Sequence, residues 1–217
     1  MIIDTNHDTT SHLPSLKAKG VVSIIRYFNR LNPKGEKTIK PPELAAIRDA
    51  GMTAGIVYEG KGNQLSAFTG DMGTADGTWA FDYANRLKIP ENSAIYFAVD
   101  YDFSVNQIRN VIIPYFQEVN DALAGQNDSE SPTQKASYRI GVYGSGLVLQ
   151  MIEDAGLAEL FWLSCSSGWT GTKEFLANGD WNLNQHLPPR NGGALGLDHD
   201  PNDANPALAD YGAFTPV

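Results

Sequence analysis

AIYFAVDYD, residues 94–102, is the stretch whose reading decides the fold. Its odd positions, Ile95, Phe97, Val99 and Tyr101, are large and mostly apolar. Its even positions run Ala94, Tyr96, Ala98, Asp100 and Asp102. Side chains of a strand alternate faces, so the stretch predicts a strand with one bulky face and one smaller face that closes in two carboxylates. In a parallel α/β barrel the bulky face meets the helices and the other faces the interior. The carboxylates then sit at the C-terminal end of the strand, where such folds place their active sites. A plainer reading has two acids in a strand-to-helix loop, with Asp102 near Ser104 capping the next helix. Two same-face acids closing a buried strand favour the functional reading.

The pattern repeats on both sides. MIID (1–4) is a short apolar run ending in Asp4, and VVSIIRYF (21–28) is a β-branched run ending in Arg26 and Tyr27. MTAGIVYEG (52–60) puts Thr53, Gly55, Val57 and Glu59 on one face, with an acid again at the strand end. Downstream come YRIGVYG (138–144), LFWLS (160–164), WNLNQHL (181–187) and ALGLD (194–198). In the last of these Ala194, Gly196 and Asp198 share a face. Helical spacing lies between the strands: a short helix within 12–19, one opened by Pro41-Pro42, and one over 73–88. Another over 104–123 carries Ile108, Val111, Ile112, Tyr115, Phe116 and Val119, and Pro114 should kink it. Residues 124–137 read as a polar insertion, and no convincing helix appears in 165–193. Eight strands interleaved with helices predict a TIM-type (β/α)8 barrel with degenerate late helices, one domain over 1–217. A doubly wound sheet is the rival, but no Gly-rich dinucleotide fingerprint follows the first strand.

The net charge of -9 and the scattered Lys and Arg residues argue against nucleic acid or an anionic membrane as partner. Their densest cluster, Lys34 to Lys40, reads as a solvated loop. The lone Cys165 excludes an intrachain disulfide and reads as an inert thiol. No apolar run approaches the roughly 18 residues of a membrane span. The N-terminus lacks the basic start and apolar core of a secretory signal. That leaves a cytoplasmic chain, a trimmed signal, or action at the cell envelope after signal-independent export.

Five acids stand at strand ends: Asp4, Glu59, Asp100, Asp102 and Asp198. In a barrel they converge on one mouth, where crowding and burial raise at least one pKa. A proton donor beside a carboxylate is what glycoside hydrolysis requires. Arg26, Tyr27, Tyr143 and Trp162 are the candidates for holding a sugar, with Trp162 equally readable as core. Gln185 and His186 are suited to hydroxyl or acetamido groups. A metal is not expected: DHDPND (198–203) fails as a calcium loop, and the four histidines show no paired ligand spacing. No Gly-x-Ser-x-Gly elbow is present and no cofactor is implied.

In order and spacing, AIYFAVDYD, YRIGVYGS, FWLS, WNLNQHL and LGLDHD resemble the bacterial glycoside-hydrolase-like domain catalogued as domain of unknown function 1906. That family is related to the family 25 lysozymes, which cleave peptidoglycan. The resemblance covers nearly the whole chain through short motifs. It implies an acid–x–acid pair at Asp100-Tyr101-Asp102, a first-strand acid at Asp4, and late partners at Gln185 and Asp198. The lysozymes carry Glu where Asp102 stands. The shorter side chain leaves Asp102 or Glu59 as general acid, with Asp100 stabilising the transition state or activating water. The expectation is a glycosidase acting on peptidoglycan or a related amino-sugar glycan. Its rivals are a non-catalytic glycan-binding barrel and a metal-dependent hydrolase.

Overall fold

The computed structural model of the protein describes residues 1–127, 137–189, 193, 195–208 and 210–217. Its strands are β1 (Ile2–Asp4), β2 (Ser23–Phe28), β3 (Thr53–Tyr58), β4 (Ala94–Ala98), β5 (Arg139–Gly144), β6 (Leu160–Leu163), β7 (Leu183–Gln185) and β8 (Asp200–Ala204). They close into a barrel in chain order. Strands β1 to β7 pair in parallel, whereas β8 is antiparallel to both β7 and β1. The architecture is therefore an eight-stranded mixed barrel rather than the all-parallel (β/α)8 form.

The alternation read in 94–102 holds through β4. Ile95, Phe97 and Val99 join the core between barrel and helices. Ala94, Tyr96 and Ala98 turn inward and pack with Ile2, Ile25, Val57, Leu160, Trp162 and Leu183 in a separate core that fills the barrel. Tyr96 needs a gap in the next strand: a Cβ on Gly141 would lie 2.4 Å from its ring.

The last strand departs from expectation. Residues 195–198 form a turn, with Gly196 at φ 67°, while Ala194 lies outside the described residues. Leu195 and Leu197 are buried in the outer core instead of forming a ladder. The strand that closes the barrel is DPNDA, composed largely of residues depleted in strands. Its register, Asp4 opposite Asp200 and Gln185 opposite Asn202, is imposed by neighbours on both edges.

Helices α1 (Leu13–Ala18), α2 (Pro41–Asp49), α3 (Met72–Arg86) and α5 (Ile113–Asn127) follow the expected spacing, and α6 (Gly146–Asp154) follows β5. The short α4 (Val105–Gln107) opens the helix that continues as α5. Ser104 and Gln107 form its capping box, so Asp102 is not the cap. Pro114 has no N–H to donate, and its ring crowds the carbonyl four residues back; a π-helical turn over Ile108–Ile112 accommodates both. Helix α7 (Thr172–Asn178) lies in 165–193, where no helix was expected. It is seven residues long, bounded by Gly171 and Gly179 in the left-handed region. Its anchor is Phe175, edge-on to Phe161 at 6.0 Å. Most of the expected polar insertion, 128–136, lies outside the described residues.

The C-terminal tail seals the end opposite the strands' C-termini. Ala94 donates to the Gly212 carbonyl at 2.9 Å, Ala54 and Phe214 exchange backbone hydrogen bonds, and Tyr96 donates to the Tyr211 carbonyl at 3.0 Å.

Gly141→Ala is expected to lower the free energy of urea unfolding by about 1–3 kcal/mol, because Tyr96 has nowhere to retreat. Gly168→Ala, where a Cβ meets nothing within 4 Å, should leave it within about 0.5 kcal/mol.

Candidate active site

The floor of the mouth is built around Asp4, which ends β1 with 1% exposure. Three strands supply donors to it. The Tyr27 hydroxyl reaches Oδ1 at 2.8 Å, and Gln185 Nε2 and Asn202 Nδ2 reach Oδ2 at 3.1 and 2.8 Å. Gln185 Nε2 also approaches Asp200 Oδ2 at 3.2 Å, while its Oε1 accepts from the Tyr143 hydroxyl at 2.8 Å. With two carboxylates on one side and a hydroxyl on the other, this amide orientation satisfies every group. Asn202 Oδ1 accepts from Trp162 Nε1 at 2.8 Å, tying the floor to the barrel core.

The electrostatics follow from crowding acids into a dry place. Burial, reinforced by the charge of Asp200, pushes Asp4 up to about 7, and its three donors oppose the rise. Asp100, just beyond β4, is pushed up to about 6 by burial and by the charges of Glu59 and Asp200. Lys37 and the Tyr143 hydroxyl pull the other way. Asp200 is raised by burial and eased by His199. Tyr27 and Tyr143 are held well above the ordinary phenol range, chiefly by burial, and so serve as neutral donors.

Among the acids picked from sequence, Glu59 acts directly on Asp100, and Asp4 is linked to Asp100 through Asp200, whose charge raises both. Asp102 does not join them: it accepts from Thr170 N at 2.9 Å and Thr170 Oγ1 at 3.1 Å, tying the loop after β4 to the one before α7. Asp198 is exposed, and its backbone carbonyl accepts from Thr5 Oγ1 at 2.6 Å. Asp200, which begins β8, lies opposite Asp4 in the ladder. Because β8 runs antiparallel, its first residue lies at the mouth.

Among the candidates for holding a sugar, Tyr27, Tyr143 and Gln185 reach the floor. Arg26 does not. It shares the outer face of β2 with Ile24 and Phe28 and is fully buried in an ion pair, Nε to Glu43 Oε1 at 2.7 Å. It also donates to the carbonyls of Thr5 and Glu36 at 2.6 and 2.9 Å. Trp162 is barrel core, edge-on to Tyr96 and Tyr143 at 5.7 and 5.0 Å. His186 pairs with Asp203 on the surface at 2.8 Å. Cys165 is half-buried, and burial with the nearby acids raises its thiol, which disfavours a thiolate nucleophile.

Three residues of the site went unrecognised in the sequence: Asp200, Asn202 and Lys37. The first two alternate onto one face of β8, a signal hidden by the misplaced strand. Lys37 belongs to the cluster read as solvated, yet its ammonium turns inward to pair with Glu59. Beside the floor, Asp4, Thr5, Asn6, Asp198, His199 and Asp200 help line a cleft of about 350 Å³, so Asp198 borders the site at its rim. Among the described residues, no three His, Cys, Asp or Glu are grouped to hold a metal. None of the described helices is long and apolar enough to cross a membrane.

Comparison with known proteins gives this site a context. The profile of the Rv2525c-like, glycoside hydrolase-like domain matches residues 14–196. Two Bacillus subtilis (strain 168) proteins are related in sequence. The uncharacterized protein YbfG is 36% identical over 163 residues, covering 73% of this chain and 22% of its own length. The uncharacterized protein FadG is 30% identical over 179 residues, covering 82% and 30% respectively. The chain thus spans under a third of either relative. The Mycobacterium tuberculosis Tat-secreted protein Rv2525c, solved in complex with L-tartrate, superposes with a TM-score of 0.74 at 20% identity, covering 98% of this chain and 97% of that one. An uncharacterized B. stearothermophilus protein superposes with a TM-score of 0.65 at 16% identity, covering 98% of each chain. At these identities the likeness is one of fold.

Arg26→Ala should destabilise the protein by about 3–5 kcal/mol in denaturant unfolding, since it strands the buried Glu43 carboxylate. Asp4 should make stability depend on pH. Its folded pKa lies above its unfolded one, so its contribution is full below the unfolded value and is lost as pH rises through about 7. The expected drop in melting temperature between pH 5 and pH 8 is about 5 °C larger in wild type than in Asp4→Asn.

Proposed function

The chain belongs to the family of Rv2525c-like, glycoside hydrolase-like domains, and we propose that it hydrolyses glycosidic bonds in peptidoglycan or a related amino-sugar glycan. The observation that carries this reading is the division of labour between carboxyls on adjacent strands. Asp100 is pushed up to about 6, so it holds a transferable proton in mildly acid solution. Glu59 is ion-paired with Lys37. In this reading Asp100 is the general acid, protonating the leaving oxygen as the bond to the anomeric carbon breaks. Glu59 supplies the carboxylate facing the oxocarbenium-like transition state.

The acid role thus goes to Asp100 rather than to Asp102 or Glu59, because Asp102 is engaged by Thr170. Asp4 acts as a supporting acid that aims Tyr27 and Gln185. Tyr143 and Gln185 are placed to bind hydroxyl or acetamido groups, and Asp200 does what Asp198 was expected to do. Secretion of the structurally similar M. tuberculosis protein supports a site of action at the cell envelope. A second reading, a glycan-binding barrel without catalysis, is favoured by one observation: the residue in the place of the lysozymes' Glu is held by Thr170 of a neighbouring loop.

Purified protein incubated with isolated peptidoglycan should release soluble fragments with new reducing ends, read by mass spectrometry. Asp100→Asn should reduce release by about 100-fold or more. The rate should fall as pH rises above about 6, because the acid loses its proton. Release that is unchanged in Asp100→Asn would refute the assignment. Co-sedimentation without release would select the binding reading.

A further inference from the structure

Lys37 lies in the loop between β2 and α2, and that loop is fastened to the barrel. Ile39 donates to the Tyr27 carbonyl at 3.0 Å, Tyr27 and Thr38 form a bridge, and Thr38 Oγ1 donates to the Asn32 carbonyl at 3.0 Å. From this fixed base the ammonium pairs with Glu59 and sits 4.8 Å from the centre of the Tyr27 ring. Tyr27 in turn donates to Asp4. Lys40, the next cation along the loop, is engaged by the Gly35 carbonyl at 3.1 Å. A lysine–glutamate pair on an open surface adds little. This one is different because it is about three-quarters buried on both sides, with side-chain exposures of 27% and 21%, and borders the acid-lined mouth.

We propose that Lys37 is a positioning residue of this site, clamping Glu59 against Tyr27 from the fixed β2–α2 loop so that the Glu59 side chain and the ammonium are both held beside Asp100. This rests on reading the mouth as an acid–base centre. The charged and titratable groups facing Asp100 are Glu59 at the end of β3, Lys37, Tyr143 on β5, Cys165 after β6 and Asp200 on β8; Lys37 itself faces Glu59 and Tyr27. Lys37 lowers the Asp100 pKa directly, against the repulsion from Glu59.

The test is carboxyl-detected NMR titration of Asp100 in wild type, Lys37→Met and Lys37→Arg. The Asp100 midpoint should rise by about 1 unit in Lys37→Met and return close to wild type in Lys37→Arg. A midpoint that does not move in Lys37→Met, or that moves equally in both variants, overturns the proposal. Lys37→Gln provides the same measurement if the Met variant folds poorly. Because the titration needs no substrate, it judges Lys37 even if the wild-type protein cleaves no glycan, a result that would instead remove the glycosidase reading. If cleavage is observed, the alkaline limb of the rate profile in Lys37→Met should shift upward with the Asp100 midpoint.

Discussion

A carboxyl group with 1% exposure is the constraint on which this barrel turns. Asp4 ends β1 at the seam where the barrel closes, and an isolated charge there would be prohibitively costly. The fold answers with donors from β2, β7 and β8, so barrel closure and the chemistry of the mouth are one arrangement. The same residues relay outward: Gln185 to Asp200 and Tyr143, Asn202 to Trp162. Misplacing β8 by one residue would turn Asn202 away from the floor, costing Asp4 one donor and Trp162 its acceptor.

Some of this was legible in the sequence because a simple physical rule governed it. The size contrast between alternate residues in 94–99 oriented β4 correctly and brought Asp100 to the mouth. The same parity applied to β2 would have turned Arg26 outward, beside Ile24 and Phe28. Asp102 shows where the rule stops. The ladder ends at Ala98, and beyond it alternation no longer governs direction, so Asp102 is free to bind Thr170. Strand β8 was illegible because Asp, Pro and Asn have little strand preference of their own; neighbours on both edges dictate their conformation. Helix α7 escaped notice because it is short and has one strong apolar anchor. Lys37 was invisible because its partner, Glu59, is supplied by the next strand rather than by its own loop.

The placement of Asp102 also bears on the departure from the lysozyme pattern. One methylene fewer would matter greatly in a residue that reaches a reacting atom. Here the residue instead joins the loop after β4 to the loop before α7. Leu147 donates to the Thr170 carbonyl at 2.9 Å and Gly146 to Thr172 Oγ1 at 3.2 Å, drawing the start of α6 into the same rim. The short side chain is part of the scaffold, and the buried and half-buried acids inside it, Asp4 and Asp100, carry the unusual protonation.

The reversal of β8 has a consequence for how the domain can be tethered. A last strand that starts at the mouth must finish at the opposite end, where the tail bridges Ala54 and Ala94. Met1 lies at that same end, its amino group donating to the Gly20 carbonyl at 2.9 Å. Both ends of the chain therefore leave from the face away from the acids. A linker, surface anchor or neighbouring module joined at either end would hold the barrel from behind, with its mouth directed outward.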